Sequence, residues 1–119
     1  MTDLVVANII RSQIVEDYLY FFENKELDSI AELFSEDCYL VDWNVGKIIG
    51  KGEVLSVYSN IFNSVETIEV HITHIHEDLG GTLTCEMSLL IDGEELLVVD
   101  IFEFNEEDQI KALRAYKGN

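Results

Sequence analysis

The chain of 119 residues carries 24 acidic and 7 basic side chains, a formal net charge of −17, and is 48% apolar. Charge of that sign repels phosphate backbones and anionic headgroups, so neither nucleic acid nor a membrane surface is an expected partner. The apolar share is too high for an acidic disordered tail and is enough for a packed core, and one domain spanning 1–119 is expected.

Proline is absent, which excludes a Pro-rich linker. Apolar runs such as Leu96 to Val99 are short, far below the ~20 residues of a spanning helix, and a cytoplasmic location is expected. Cys38 and Cys85 sit inside apolar patterns, too few and too far apart for a disulfide framework or a paired-cysteine zinc site. Buried free thiols are expected.

Val6, Ile10, Ile14 and Tyr18, closed by Phe21 and Phe22, recur at helical spacing and predict a long amphipathic helix. Asn24 and Lys25 interrupt it, and Leu27, Ile30, Ala31 and Phe34 predict a second, shorter helix ending near Ser35. From Cys38 the period changes to two, with Cys38, Leu40 and Asp42 on one face of a strand and Tyr39, Val41 and Trp43 on the other. Gly46 and Gly50 mark a loop, after which Val54, Leu55, Tyr58 and Phe62 predict a third helix. Strands are expected over roughly 65–78, 82–92, 94–105 and 109–117, with Asp92-Gly93 as a tight hairpin signal.

This order predicts an α+β fold with helices on one face of a curved antiparallel sheet. The 94–105 strand is apolar on both faces: Leu96, Val98, Phe102 and Phe104 on one, Leu97, Val99 and Ile101 on the other. Helices cover one face, and a homodimer through the sheet's outer face is expected to cover the other.

Most acids fall in clusters that a solvated surface would carry. Asp100, between Val98 and Phe102, and Asp42, beside Leu40, instead point where an apolar lining is expected. Tyr18 lies on the buried stripe of the first helix, and its hydroxyl needs a polar partner there. Two carboxyls and a phenol are therefore expected to converge in one apolar cavity.

The segments NKELDSIAELFSED (24–37), CYLVDWNVG (38–46), IIGKGEVLSVY (48–58), VVDIFEF (98–104) and DQIKALRAY (108–116) resemble the nuclear transport factor 2-like superfamily. Within it they are most similar to SnoaL-like and ketosteroid isomerase-like proteins. The resemblance covers almost the whole chain. It implies a cone-shaped, cystatin-like roll in which three helices close over a curved sheet around a deep pocket, commonly dimeric. It also implies site residues. Asp42 matches the isomerases' general base, Tyr18 and a protonated Asp100 match their oxyanion hole, and Tyr58 matches a supporting tyrosine. Trp43 stands after the base where the isomerases often have proline, and Phe34 replaces another of their pocket tyrosines. The implied activity is proton transfer, an isomerisation or cyclisation, on a hydrophobic carbonyl-bearing ligand, with no cofactor or metal. A non-catalytic dimeric ligand-binding or assembly module is the alternative.

His74 and His76 lie two apart on one strand face, but no cysteine or carboxylate completes a ligand set at a telling spacing, and alternation sends His71 to the opposite face. No metal is expected. His74 is instead a supporting position, and His74 or His76 is the candidate acid–base group, for a second alternative, a histidine-assisted dehydratase like those of the superfamily. Its epoxide hydrolases use an arginine between two aspartates; none flanks Asp100, and alternation points Arg114 outward. Lys111, Arg114 and Lys117 are expected to form a solvated or interface strand.

Overall fold

A computed structural model describes residues 2–119. Helix α1 (Thr2–Glu23) packs its later turns through Val15, Tyr18 and Leu19, all buried. Ile14 is half-buried and Ile10 exposed, whereas Val6, also on the expected stripe, lies outside the residues whose side chains are described. After a turn with Lys25 at φ 56°, α2 (Leu27–Leu33) buries Ile30.

Strand β1 (Phe34–Asp42) begins earlier than period-two alternation suggests, and Phe34 belongs to it rather than to α2. The reason is an irregularity. Phe34 pairs with Ile110, register shifts, and pairing resumes at Tyr39 opposite Ala112, so Ser35 to Asp37 break the alternation. Between Gly46 and Gly50, where a loop was expected, β2 (Gly46–Ile49) folds back on β1, pairing Gly46 with Asp42. Helix α3 (Lys51–Ser64) follows, burying Val54 and Tyr58 one turn apart.

Strands β3 (Ile68–Glu77), β4 (Leu83–Ile91), β5 (Glu94–Phe104) and β6 (Ile110–Lys117) complete a six-stranded sheet of order β2-β1-β6-β5-β4-β3. The sheet is mixed: β6 returns between β5 and β1 and runs parallel to β1, which corrects the all-antiparallel expectation. Alternation along one strand does not encode the direction of its neighbour. Asp92 and Gly93 take φ values of 51° and 83°, the positive pair a two-residue hairpin turn of this hand requires. The Asp92 carboxylate also accepts the N–H groups of Glu66 and Thr67, each at 2.8 Å, which holds its pKa below the usual aspartate value and ties the end of α3 to the hairpin.

Cys38, Leu40, Leu83, Cys85, Val98, Phe102 and Leu113 line the sheet's inner face against the helices. Arg11 fastens the near half of α1 to the sheet. Its Nε donates to Asp108 Oδ1 at 2.9 Å, its terminal nitrogens donate to the carbonyls of Gly81 and Asn105 at 3.3 Å, and its guanidinium lies 5.2 Å from the Phe104 ring centre. Arg11→Ala breaks this charge-assisted set and is expected to destabilise the fold by about 2 kcal/mol in urea unfolding. No change in midpoint would show that the clamp is solvated away.

Candidate functional site

Under α1 and α3 the curved sheet leaves a cavity of about 440 Å³, within the ~300–1,000 Å³ range of small-molecule pockets. Its walls are mostly apolar: Leu19 and Phe22 of α1, Val57 and Ile61 of α3, Met87 and Leu89 of β4, Leu96 and Val98 of β5, and Leu113 and Ala115 of β6. Tyr18, Asp42, Trp43, Tyr58 and Asp100 all line this space, so five of the six side chains singled out in the sequence meet in one cavity.

Asp100 lies on β5 with Cys85 opposite it on β4 and Ala115 on β6, and with Val98 and Phe102 flanking it along the strand. Only 7% of the residue is exposed, and its carboxyl has no hydrogen-bond partner among the described residues. Burial raises its pKa to about 7, and the charge of Asp42 adds to the rise. Cys85 beside it is pushed to about 12, by burial first and then by the charges of Asp100 and Glu86, and stays a neutral thiol.

Tyr18 and Tyr58 face each other at 2.5 Å between hydroxyl oxygens. Burial, above all, raises both phenols, so both stay protonated at neutral pH. One hydroxyl spends its proton on the other, and the acceptor's proton is free to point into the cavity. The pair is held by packing: the Tyr18 ring lies 5.4 Å from Phe102 and 6.1 Å from Phe34, edge to face in both cases.

Asp42 ends β1 nearer the mouth. One of its oxygens accepts the N–H of Asn44 at 2.8 Å, a local turn that fixes the carboxyl. The chain leaves the strand at Asp42, and the turn therefore swings Trp43 back to the cavity rim, against the outer position that alternation predicts for it. Asn44, Asn60 and Ser64 add polar groups to the lining. Strand alternation could have identified Met87 and Leu89; the turn residue Asn44 carries no such signal.

The histidines are elsewhere. His71 pairs with Ser88, Ile72 with Met87, His74 with Glu86 and His76 with Thr84, and a bulge at Thr73 between Ile72 and His74 shifts the phase of β3. All three histidines consequently lie on the outer face, exposed to solvent. This corrects both the supporting role expected for His74 and the opposite facing expected for His71, and it removes the basis of the dehydratase alternative. His76 Nε2 lies 2.5 Å from Glu86, and no group of three or more metal-ligating side chains is found among the described residues. Arg114 pairs with Ile101 on the same outer face, bound to Glu103 and to the Tyr39 hydroxyl, outside the cavity.

Residues 15–113 match the SnoaL-like domain, a stretch that contains the three helices' packed turns, Asp42, Asp100 and both tyrosines. The chain belongs to the SnoaL-like domain family. This SnoaL-like domain shares its nuclear transport factor 2-like fold with several solved structures. A SnoaL-like polyketide cyclase candidate from Shewanella denitrificans superposes with TM-score 0.81 at 12% identity, over 92% of this chain and 90% of that one. The epoxide hydrolase/cyclase-like enzyme SalBIII, of pyran ring formation in the polyether salinomycin, superposes at 0.79 and 19% identity over 91% and 90%. A ketosteroid isomerase candidate from Kribbella flavida superposes at 0.77 and 14% identity over 92% and 78%. Such identities establish the fold, which hosts hydrolases, cyclases and isomerases alike. No curated protein sequence matches the chain. Among the described residues, no helix of this SnoaL-like domain is long and apolar enough to cross a membrane.

Proposed function

We propose that this SnoaL-like domain catalyses proton transfer on a hydrophobic, carbonyl-bearing small molecule. Asp42 is the base that takes the proton beside the carbonyl. Tyr18 and neutral Asp100 donate hydrogen bonds to the developing enolate, Tyr58 supports Tyr18, and Trp43 packs against the ligand at the rim. Asp42 then returns the proton to another carbon or to the same one. The observation that carries this is the contrast between two carboxyls opening on one apolar cavity. Asp100 is deep and unpartnered, with its pKa near 7, while Asp42 is half-exposed and fixed by a backbone N–H.

Environments that separate two carboxyls in this way supply an acid-side donor and a base at the same pH. No step needs a cofactor. The experiment is exchange of solvent deuterium into a simple β,γ-unsaturated ketone, followed by NMR. Wild-type protein is expected to accelerate exchange and double-bond migration together, and a rate equal to buffer for a range of ketones would leave a ligand-binding module in place of an enzyme.

The proposal extends to a homodimer through the outer face of the sheet. There Leu97 and Tyr116 are about half exposed, at 49% and 48%, and Val99 and Ile101 of the same face are only partly covered. Light scattering at micromolar concentration is expected to give twice the 13.6 kDa of the chain; a monomeric mass would end this part of the proposal.

A further inference from the structure

We propose that the cavity is a charge filter, admitting hydrophobic ligands that are uncharged over the part that enters and rejecting those that bear a carboxylate. None of the seven basic side chains lines it. Arg11 is held by Asp108, Lys25 by the carbonyl of Val65, Lys47 over the Tyr39 ring, Lys51 near Glu36, and Arg114 by Glu103. The polar groups deep in the cavity are uncharged donors: two phenol hydroxyls, which bond one another and leave one proton to the cavity, and the carboxyl of Asp100. A ligand carboxylate would meet no cation there.

The proton-transfer assignment, on which this inference rests only for the ionised state of Asp42, sharpens the argument. When Asp42 takes a proton from carbon, the C–H electron pair passes into the enolate as the Asp42 carboxylate becomes a carboxylic acid. The site then holds one negative charge before and after the step. A ligand that arrives ionised brings a second. At an effective dielectric constant near 20, two unit charges about 7 Å apart are disfavoured by roughly fifty-fold, and the surplus of acids over the rest of the chain acts in the same direction. The reaction that supplies this ligand must leave the part that enters without an ionised carboxyl group.

Trp43 is the one tryptophan of the chain and stands at the cavity rim, so its emission reports occupancy directly. Three probes of matched shape, cyclohexylacetone, cyclohexylacetamide and cyclohexylacetate, are transparent where tryptophan is excited, and at about 440 Å³ the cavity holds any of them. Titrated at neutral pH, the ketone and the amide are expected to bind with similar affinity and the carboxylate at least thirty-fold more weakly. In Asp42→Asn the carboxylate is expected to regain ten-fold or more while the amide moves by less than three-fold.

Wild-type affinities within three-fold of each other would overturn the filter, whether or not the variant folds. So would the failure of all three probes to bind, since the cavity would then not take a neutral ligand of this size. A protein that discriminates as expected but catalyses no deuterium exchange would retain the filter and lose the proton-transfer assignment.

Discussion

Asp42→Asn is expected to lower the rate of deuterium exchange and double-bond migration by ~10²–10⁴-fold, the usual contribution of a positioned general base. The substitution is close to isosteric. Its amide oxygen can still accept the N–H of Asn44, which Asp42 accepts at 2.8 Å, so the turn that carries Trp43 is kept. What is lost is the ability to hold a proton taken from carbon. Because the charge of Asp42 contributes to the raised pKa of Asp100, the same substitution is also expected to lower the titration midpoint of Asp100. A stability effect alone would move neither that midpoint nor the rate per folded molecule. Equal rates for wild type and variant, measured on folded protein, would remove Asp42 as the base.

Asp100→Asn is expected to stabilise the protein at pH about 8 by up to roughly 4 kcal/mol. The native pKa of Asp100, about 7, lies above the ordinary aspartate value of 3.8. Between those values the folded protein keeps a proton that the unfolded chain has released. The stability Asp100 contributes is therefore complete below pH about 4 and is lost as pH rises through about 7. The asparagine amide resembles the protonated carboxyl and does not titrate. Wild type and variant are expected to melt together at pH about 4 and to separate by more than about 8 °C at pH about 8, the variant melting higher. The difference between the two proteins matters more than either curve, because the excess of acids destabilises both at high pH. Parallel curves across the whole range would mean that Asp100 is ionised and solvated in the native state.

These expectations rest on which faces Asp42 and Asp100 occupy, and strand alternation made those faces legible. In β5 the run Val98, Asp100, Phe102, Phe104 is uninterrupted, and all four are buried. In β1 the alternation is likewise uninterrupted from Cys38 onward, with Cys38 and Leu40 buried and Asp42 partly exposed at the strand's end. The places where sequence and structure part are those where the backbone leaves the regular period. Ser35 to Cys38 interrupt the pairing of β1 with β6, so Phe34 stands apart from the alternating run and falls at helical spacing from Ile30. A bulge at Thr73 moves His71 onto the face of His74 and His76, and the face containing all three is the outer one. Trp43 follows the last residue of β1, where alternation no longer governs direction.

Strand β2 is four residues between two glycines at positive φ, Gly46 at 75° and Gly50 at 96°, a composition shared by ordinary turns. The parallel pairing of β1 with β6 joins segments far apart in the chain and depends on the return of β6 to the middle of the sheet. Bulges, strand ends and long-range pairing are decided by tertiary packing, and a single strand's pattern contains none of them.

The most direct test of the paired-carboxyl account is a carbon-detected NMR titration of the Asp100 side chain, with Asp42→Asn measured alongside. A midpoint near pH 7 in wild type, moving down in the variant, is the result predicted for a buried donor held neutral beside an ionised base. A midpoint near 4, unchanged in Asp42→Asn, would contradict it.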